Sequence, residues 1–152
     1  MSNKKAFWFF VVATLLSAGL FIYLTVDTHR QVKHLTHEDN LTDEVIAGKK
    51  VWEKYNCNDC HTILGFGGYY APDMTKAYKR LGGEGIAAIV KNPDQIFASS
   101  WRKMPNQNVS DAEIANLTSF LKWISEINNN DWPPQDSDRA KAKEALKLLS
   151  NK

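Results

Sequence analysis

Hydrophobic positions are spread unevenly along this chain. Ala6 to Val26, AFWFFVVATLLSAGLFIYLTV, contains no charged residue. At about 1.5 Å rise per residue a helix of that length reaches roughly 31 Å, enough for a hydrocarbon core of about 30 Å. The pattern predicts one N-terminal transmembrane helix, with Trp8 and Tyr23 near its ends, where amphipathic rings favour the membrane–water interface. Lys4 and Lys5 precede the run, and the positive-inside rule then places the N-terminus in the cytoplasm. A cleaved signal peptide is the competing reading, but its apolar region would be about 7–15 residues long and end at small residues. This run is longer and ends in Thr25-Val26-Asp27-Thr28. On either reading the rest of the chain is exported.

Asp27 to Asn40 is polar and reads as a continuation of that helix or as a juxtamembrane linker. Its His29, His34 and His37 stand five and three residues apart with no cysteine nearby, so a solvated face is favoured over a metal site. Periodicity then turns helical. Thr42 is placed as an N-cap with Asp43 and Glu44 in the first turn, and Val45, Gly48, Trp52 and Tyr55 share one face. Gly48 on that face points to a close approach by another helix, since glycine otherwise weakens a helix interior.

Ala71-Pro72-Asp73 reads as a turn, followed by a short helix over Met74 to Leu81, a break at Gly82-Gly83 and a helix over Glu84 to Lys91 stopped by Asn92-Pro93. Pro93 to Asn108 reads as mostly irregular. Ser110 and Glu113 form a capping box opening an amphipathic helix with Ile114, Leu117, Leu121, Ile124 and Ile127 on one side and Phe120 beside them. Trp123 and Trp132 flank its end, and Asp138 to Leu149 reads as a terminal surface helix. No internal repeat and no strand-like alternation of useful length occurs in the sequence. The expected fold is mainly α, organised as residues 1–40 (N-terminus, transmembrane helix and connector), 41–134 (an exported helical domain) and 135–152 (the surface helix).

Charge narrows the function classes. The chain of 152 residues has 19 Lys and Arg and 17 Asp and Glu. Apart from Lys4 and Lys5 the charges balance and form no basic stripe, which argues against nucleic acid as a partner. The two cysteines carry more information. In an exported protein a disulfide is the default, but here they lie in Cys57-Asn58-Asp59-Cys60-His61, the C-x-x-C-H signature of c-type haem attachment. A zinc site would need further ligands and there is no second cysteine pair; a thioredoxin-like motif wants a βαβ context that the sequence lacks. One covalent haem c on Cys57 and Cys60 is therefore expected, with His61 as proximal iron ligand. A methionine is the common sixth ligand in electron-transfer cytochromes. Met104, before Pro105 in an irregular segment, leaves enough chain to cross to the other haem face, while Met74, inside an expected helix, reads as packing at the haem edge.

Together, VWEKYNCNDCHTILGFGGYYAPD, the MPN before the capped helix, and FLKWISEINNNDWPP resemble the cytochrome c subunits of bacterial nitric oxide reductases from about Lys4 to Pro134. The resemblance implies a single-pass protein of the bacterial inner membrane, N-terminus cytoplasmic, with a class I-like cytochrome c domain in the periplasm. It implies electrons taken from a soluble cytochrome c or small copper protein and passed to a large multi-spanning catalytic subunit. There a low-spin haem b, a high-spin haem b and a non-haem iron reduce two NO to N2O and water. By position it makes Cys57 and Cys60 the haem attachment points, His61 and Met104 the iron ligands, and the backbone carbonyls of Gly67 and Tyr69 ligands of a calcium ion at the subunit interface. A glycine loop that merely lets the backbone pass the haem is the plainer alternative. Phe66, Tyr69 and Tyr70 beside those glycines suit an interface. The competing functions are a monohaem subunit of a haem-copper oxidase, a free membrane-anchored shuttle and a haem-based gas sensor. The metal content of a co-purifying partner separates the first two, and ready CO binding by the reduced protein would mark the third.

Overall fold

The computed structural model describes residues 3–130, 132 and 133. The expected helix over Asp138 to Leu149, with the rest of 135–152, lies outside them. The chain divides into two compact units, Met1–Leu35 and Thr36–Lys152.

The first unit is almost the whole of one helix, α1 (Asn3–Thr36), which buries none of its residues. Phe9, Phe10, Leu16 and Phe21 all stand exposed, uncovered among the described residues. The helix is long and apolar enough to cross a membrane. It continues through the polar connector: Gln31 donates to the Asp27 carboxylate one turn back at 2.7 Å, and Thr25 donates to the Phe21 carbonyl at 2.8 Å.

The second unit is built on two crossed helices, α2 (Asp43–Lys54) and α5 (Asp111–Glu126). They touch at Gly48, where a β-carbon would collide with the carbonyl oxygen of Asn116 and stand 2.7 Å from Phe120 Cβ. Glycine thus lets the backbones meet, as the sequence indicated, and Val45, Val51 and Trp52 close on Ile114, Leu117, Phe120 and Leu121. Thr42 takes the N-cap position of α2 without a side-chain bond to the backbone; its hydroxyl instead serves Glu44, whose carboxyl it pulls below the ordinary range. At α5 the capping box forms in full. The far end of α5 is finished by Lys76, a buried lysine whose ammonium donates to the carbonyls of Ser125 at 3.2 Å and Ile127 at 3.1 Å. Those carbonyls have no partner within the helix, and a cation is favoured at that end of the helix dipole.

Helix α3 (Ala77–Lys91) adds Ile86 and Val90 to the core, and kinks at Gly82 (φ 70°, ψ 174°), where the sequence placed its break. Its start is later than expected. The N–H of Met74 bonds the Thr62 carbonyl at 2.8 Å and that of Thr75 bonds the Asp73 carboxylate at 2.8 Å, so these residues are held in the preceding loop rather than in a helix. A single helical turn, α4 (Pro93–Ile96), opens the otherwise irregular stretch before α5. The sequence reading also missed a two-residue antiparallel ladder, β1 (Thr62–Ile63) and β2 (Phe66–Gly67), too short to show alternation.

Candidate functional site

Helix α2 ends at Tyr55, and Asn56 in the left-handed region (φ 49°) turns the chain into a tight 3-10 turn at Cys57–Asp59. The Cys57 carbonyl accepts from Cys60 N at 3.3 Å and from His61 N at 2.9 Å. One turn of backbone therefore carries Cys57, Cys60 and His61 together. Both cysteines are free thiols, half-buried. Burial pushes the Cys57 thiol up to about 11, so it is held as the thiol.

The His61 ring is fixed from one side. Its Nδ1 lies 2.8 Å from the Pro72 carbonyl, which can only accept, so the proton sits on Nδ1 and Nε2 keeps its lone pair. Burial lowers the imidazole pKa, against the opposing pull of the Pro72 bond and of Asp73. The ring is thus neutral, with one nitrogen left to accept a bond. The indole of Trp52 stands 6.2 Å away, tilted by 52°.

The loop that supplies Pro72 is laced to the segment after the cysteines. Ala71 N bonds the Cys60 carbonyl at 2.9 Å, Met74 N the Thr62 carbonyl at 2.8 Å, and Leu64 N the Thr75 hydroxyl at 2.7 Å. Asp73 ties the two together: its carboxylate accepts from the Thr62 hydroxyl at 2.5 Å and from Thr75 N at 2.8 Å. Thr62 and Thr75 are buried.

The glycine-rich stretch has a local explanation. Leu64 (φ 52°) and Gly65 (φ 81°) form a two-residue hairpin loop with positive φ at both positions, as a type I′ turn requires. A β-carbon on Gly67 (φ 128°) would collide with the His61 carbonyl, and one on Gly68 with the Asp59 carbonyl. The return strand therefore lies directly on the cysteine turn, fastened by Gly68 N to the Asn58 carbonyl at 2.7 Å. Phe66 and Tyr69 remain 82% and 80% exposed, which leaves two large rings open to solvent beside the hairpin. The Tyr69 hydroxyl folds back to the Gly65 carbonyl at 3.1 Å. Trp132 comes over the same glycine, its Cη2 standing 3.4 Å from where a Gly65 β-carbon would be.

Met74 and Met104 are both partly buried against the core, so burial does not choose between them. Met74 is bonded through its backbone to Thr62, the neighbour of His61, whereas Met104 lies on the segment between α4 and α5. That segment is pinned by Arg102, which donates to the Tyr70 carbonyl at 3.0 Å and stacks over the rings of Trp101 (4.4 Å) and Tyr70 (5.7 Å). Sequence reasoning missed Arg102, the Asp73–Thr62–Thr75 lacing and buried Lys76. Of these only Asp73 left a trace, as the acid after Ala71-Pro72. Trp123 is core packing, its Nε1 donating to the His37 carbonyl at 3.3 Å.

Two thiols in one turn, a neutral imidazole with a free nitrogen and a rim of partly buried Ile63, Leu64, Met74, Tyr78, Leu81 and Met104 form the chemistry that a covalently held haem needs. Among the described residues, no group of three or more His, Cys, Asp or Glu side chains is gathered for a metal ion.

The family model for cytochrome c matches residues 45–125. The nitric oxide reductase C subunit of Stutzerimonas stutzeri is 38% identical over 120 residues, covering 76% of this chain and 82% of the relative. The C subunit of the Cereibacter sphaeroides enzyme is 33% identical over 150 residues, 90% of this chain and 97% of the relative. That of Paracoccus denitrificans is 35% identical over 132 residues, 78% and 84%.

Proposed function

The chain belongs to the cytochrome c family as a nitric oxide reductase C subunit, and from that premise we propose that it is the electron-entry subunit of that enzyme, with one haem c held by this chain's own turn. Cys57 and Cys60 would supply the two thioether sulfurs, and His61 Nε2 and Met104 would ligate its iron. Bound there, the haem supplies a one-electron couple, and a His/Met pair leaves no position for substrate. The protein's part is to hold and shield. The Pro72 carbonyl fixes the His61 ring, Trp52 and the apolar rim exclude water, and the Arg102 stack pins the approach of the Met104 segment. The observation that carries this reading is the single turn that unites two free thiols with an imidazole already oriented at 2.8 Å by Pro72.

A protein of this family works beside a catalytic partner subunit, and α1 fits a single-pass membrane protein. In our reading the N-terminus is cytoplasmic, the haem domain periplasmic, and the donor a soluble cytochrome c or small copper protein. The partner holds a low-spin haem b, a high-spin haem b and a non-haem iron, and it reduces NO to N2O. Phe66 and Tyr69 are the surface offered to that partner. The Gly67 and Tyr69 carbonyls join ligands from the partner around an interface calcium. Carbonyl oxygens suit calcium, a hard cation that prefers oxygen ligands.

The test is the purified complex. Alkaline pyridine haemochrome spectra and intact mass give one haem c in the wild type, one thioether fewer in Cys57→Ala or Cys60→Ala, and none in the double variant. NO reduction from a reduced periplasmic donor then stops in the double variant. Wild-type turnover without haem c would sink the electron-entry role.

A further inference from the structure

The Pro72 carbonyl that orients His61 belongs to the Pro72–Asp73 peptide plane. On one side of that plane stands Pro72, whose ring fixes its own φ. On the other side stands Asp73, and three hydrogen bonds hold it: Thr62 Oγ1 to the carboxylate at 2.5 Å, Thr75 N to the carboxylate at 2.8 Å, and an Arg80 guanidinium nitrogen to the Asp73 carbonyl at 3.2 Å. Thr62 directly follows His61 in the chain, so the carboxylate joins the carbonyl's peptide to the imidazole's own backbone. Both threonines are buried, at 2% and 0% exposure, and water does not readily replace these bonds.

We infer that Asp73 is a positioning residue for the iron-ligand face, setting through the Pro72 carbonyl how strongly His61 Nδ1–H is hydrogen-bonded. The inference rests on His61 being the iron ligand. A histidine ligand that donates its second N–H to a well-placed acceptor is a more basic ligand. A more basic imidazole favours the oxidised iron. Loosening the Pro72–Asp73 plane therefore weakens the Nδ1–H bond and raises the reduction potential. The carboxylate charge acts in the same direction, so the charge-preserving change at Thr62 separates the two effects.

The experiment uses the full-length haem-loaded chain in detergent micelles, with 15N-histidine labelling and potentiometry. In the reduced wild type the His61 ring signals carry the haem ring-current shift and Nδ1–H exchanges slowly. In Asp73→Ala that exchange accelerates and the potential rises. In Thr62→Val, which keeps the charge, both move in the same direction by less. Wild-type exchange and potential in Thr62→Val and in every Asp73 variant that folds would overturn the inference, whatever happens to melting temperature, and reduce Asp73 to a loop staple. His61 signals without a ring-current shift in the wild type would instead overturn the ligand assignment and this inference with it.

Discussion

The Lys54 ammonium donates to Glu113 Oε1 at 2.6 Å, joining the last turn of α2 to the first turn of α5. Glu113 also accepts from the Tyr55 hydroxyl at 3.1 Å and closes the capping box with Ser110. One carboxylate therefore serves the helix that delivers the cysteines and the helix that closes the core.

This pair gives a pH signature. The Lys54 bond, then the Ser110 bonds, hold the Glu113 carboxyl down from 4.5 to about 2. Its folded pKa lies below its unfolded one, so its contribution is complete above about pH 4.5 and is lost as pH falls toward 2. Glu113→Gln should melt below the wild type at about pH 6, with the gap closing at about pH 2.5. Thermal melts across that window check it, and a gap that stays constant would remove the pair from the acid response.

Gly48→Ala tests the helix crossing. Alanine gains about 1 kcal/mol of helix propensity, but its β-carbon meets the Asn116 carbonyl, a backbone atom that cannot rotate aside. Overpacking of this kind costs about 1–3 kcal/mol, with the backbone clash placing it at the upper end. The denaturation midpoint of the full chain should fall. A midpoint at or above the wild type would mean that α2 and α5 meet elsewhere.

The axial assignment separates at two methionines. Met104→Ala should lose the methionine–iron charge-transfer band and the high potential that a thioether confers. Met74→Leu should keep both, since the proposed function gives Met74 no bond to the iron. The reverse pattern would transfer the role to Met74.

For the glycine loop, metal removal is a cleaner probe than mutation, because a side chain at Gly67 or Gly68 strikes the cysteine turn itself. Chelating calcium from the purified complex should slow electron transfer between subunits, and added calcium should restore it. Unchanged transfer with the metal demonstrably gone would remove calcium from the interface reading. Tyr69→Phe loses only the bond to Gly65, worth about 1 kcal/mol, and should leave haem attachment intact.

Much of this fold is written locally. The charge-free run from Ala6 to Val26, the Ser110–Glu113 box, the glycine at position 48 and the break at Gly82 each carry their structural reason within a few residues. The cysteine turn does too. What stayed hidden depends on distant partners. Met74 and Thr75 suit a helix by composition, yet Thr62 and Asp73 claim their N–H groups. Lys76 reads as a solvent residue until α5 brings two carbonyls that need a donor. Arg102 gains a place only when Tyr70 lies beneath it. The hairpin is too short for any periodicity, and its glycines, which suggested a docking loop, are first required by the close packing of Gly67 and Gly68 on the turn.

The crossing of α2 on α5 also sets an order in time. The ribosome completes the cysteine turn long before it begins α5, and α2 cannot bury Val45, Gly48 and Trp52 until α5 exists. During that interval the two thiols belong to an unfinished chain, with the core that later half-buries them still unmade. A polypeptide cut before Ser110 would keep both cysteines and lose the helix that α2 closes against.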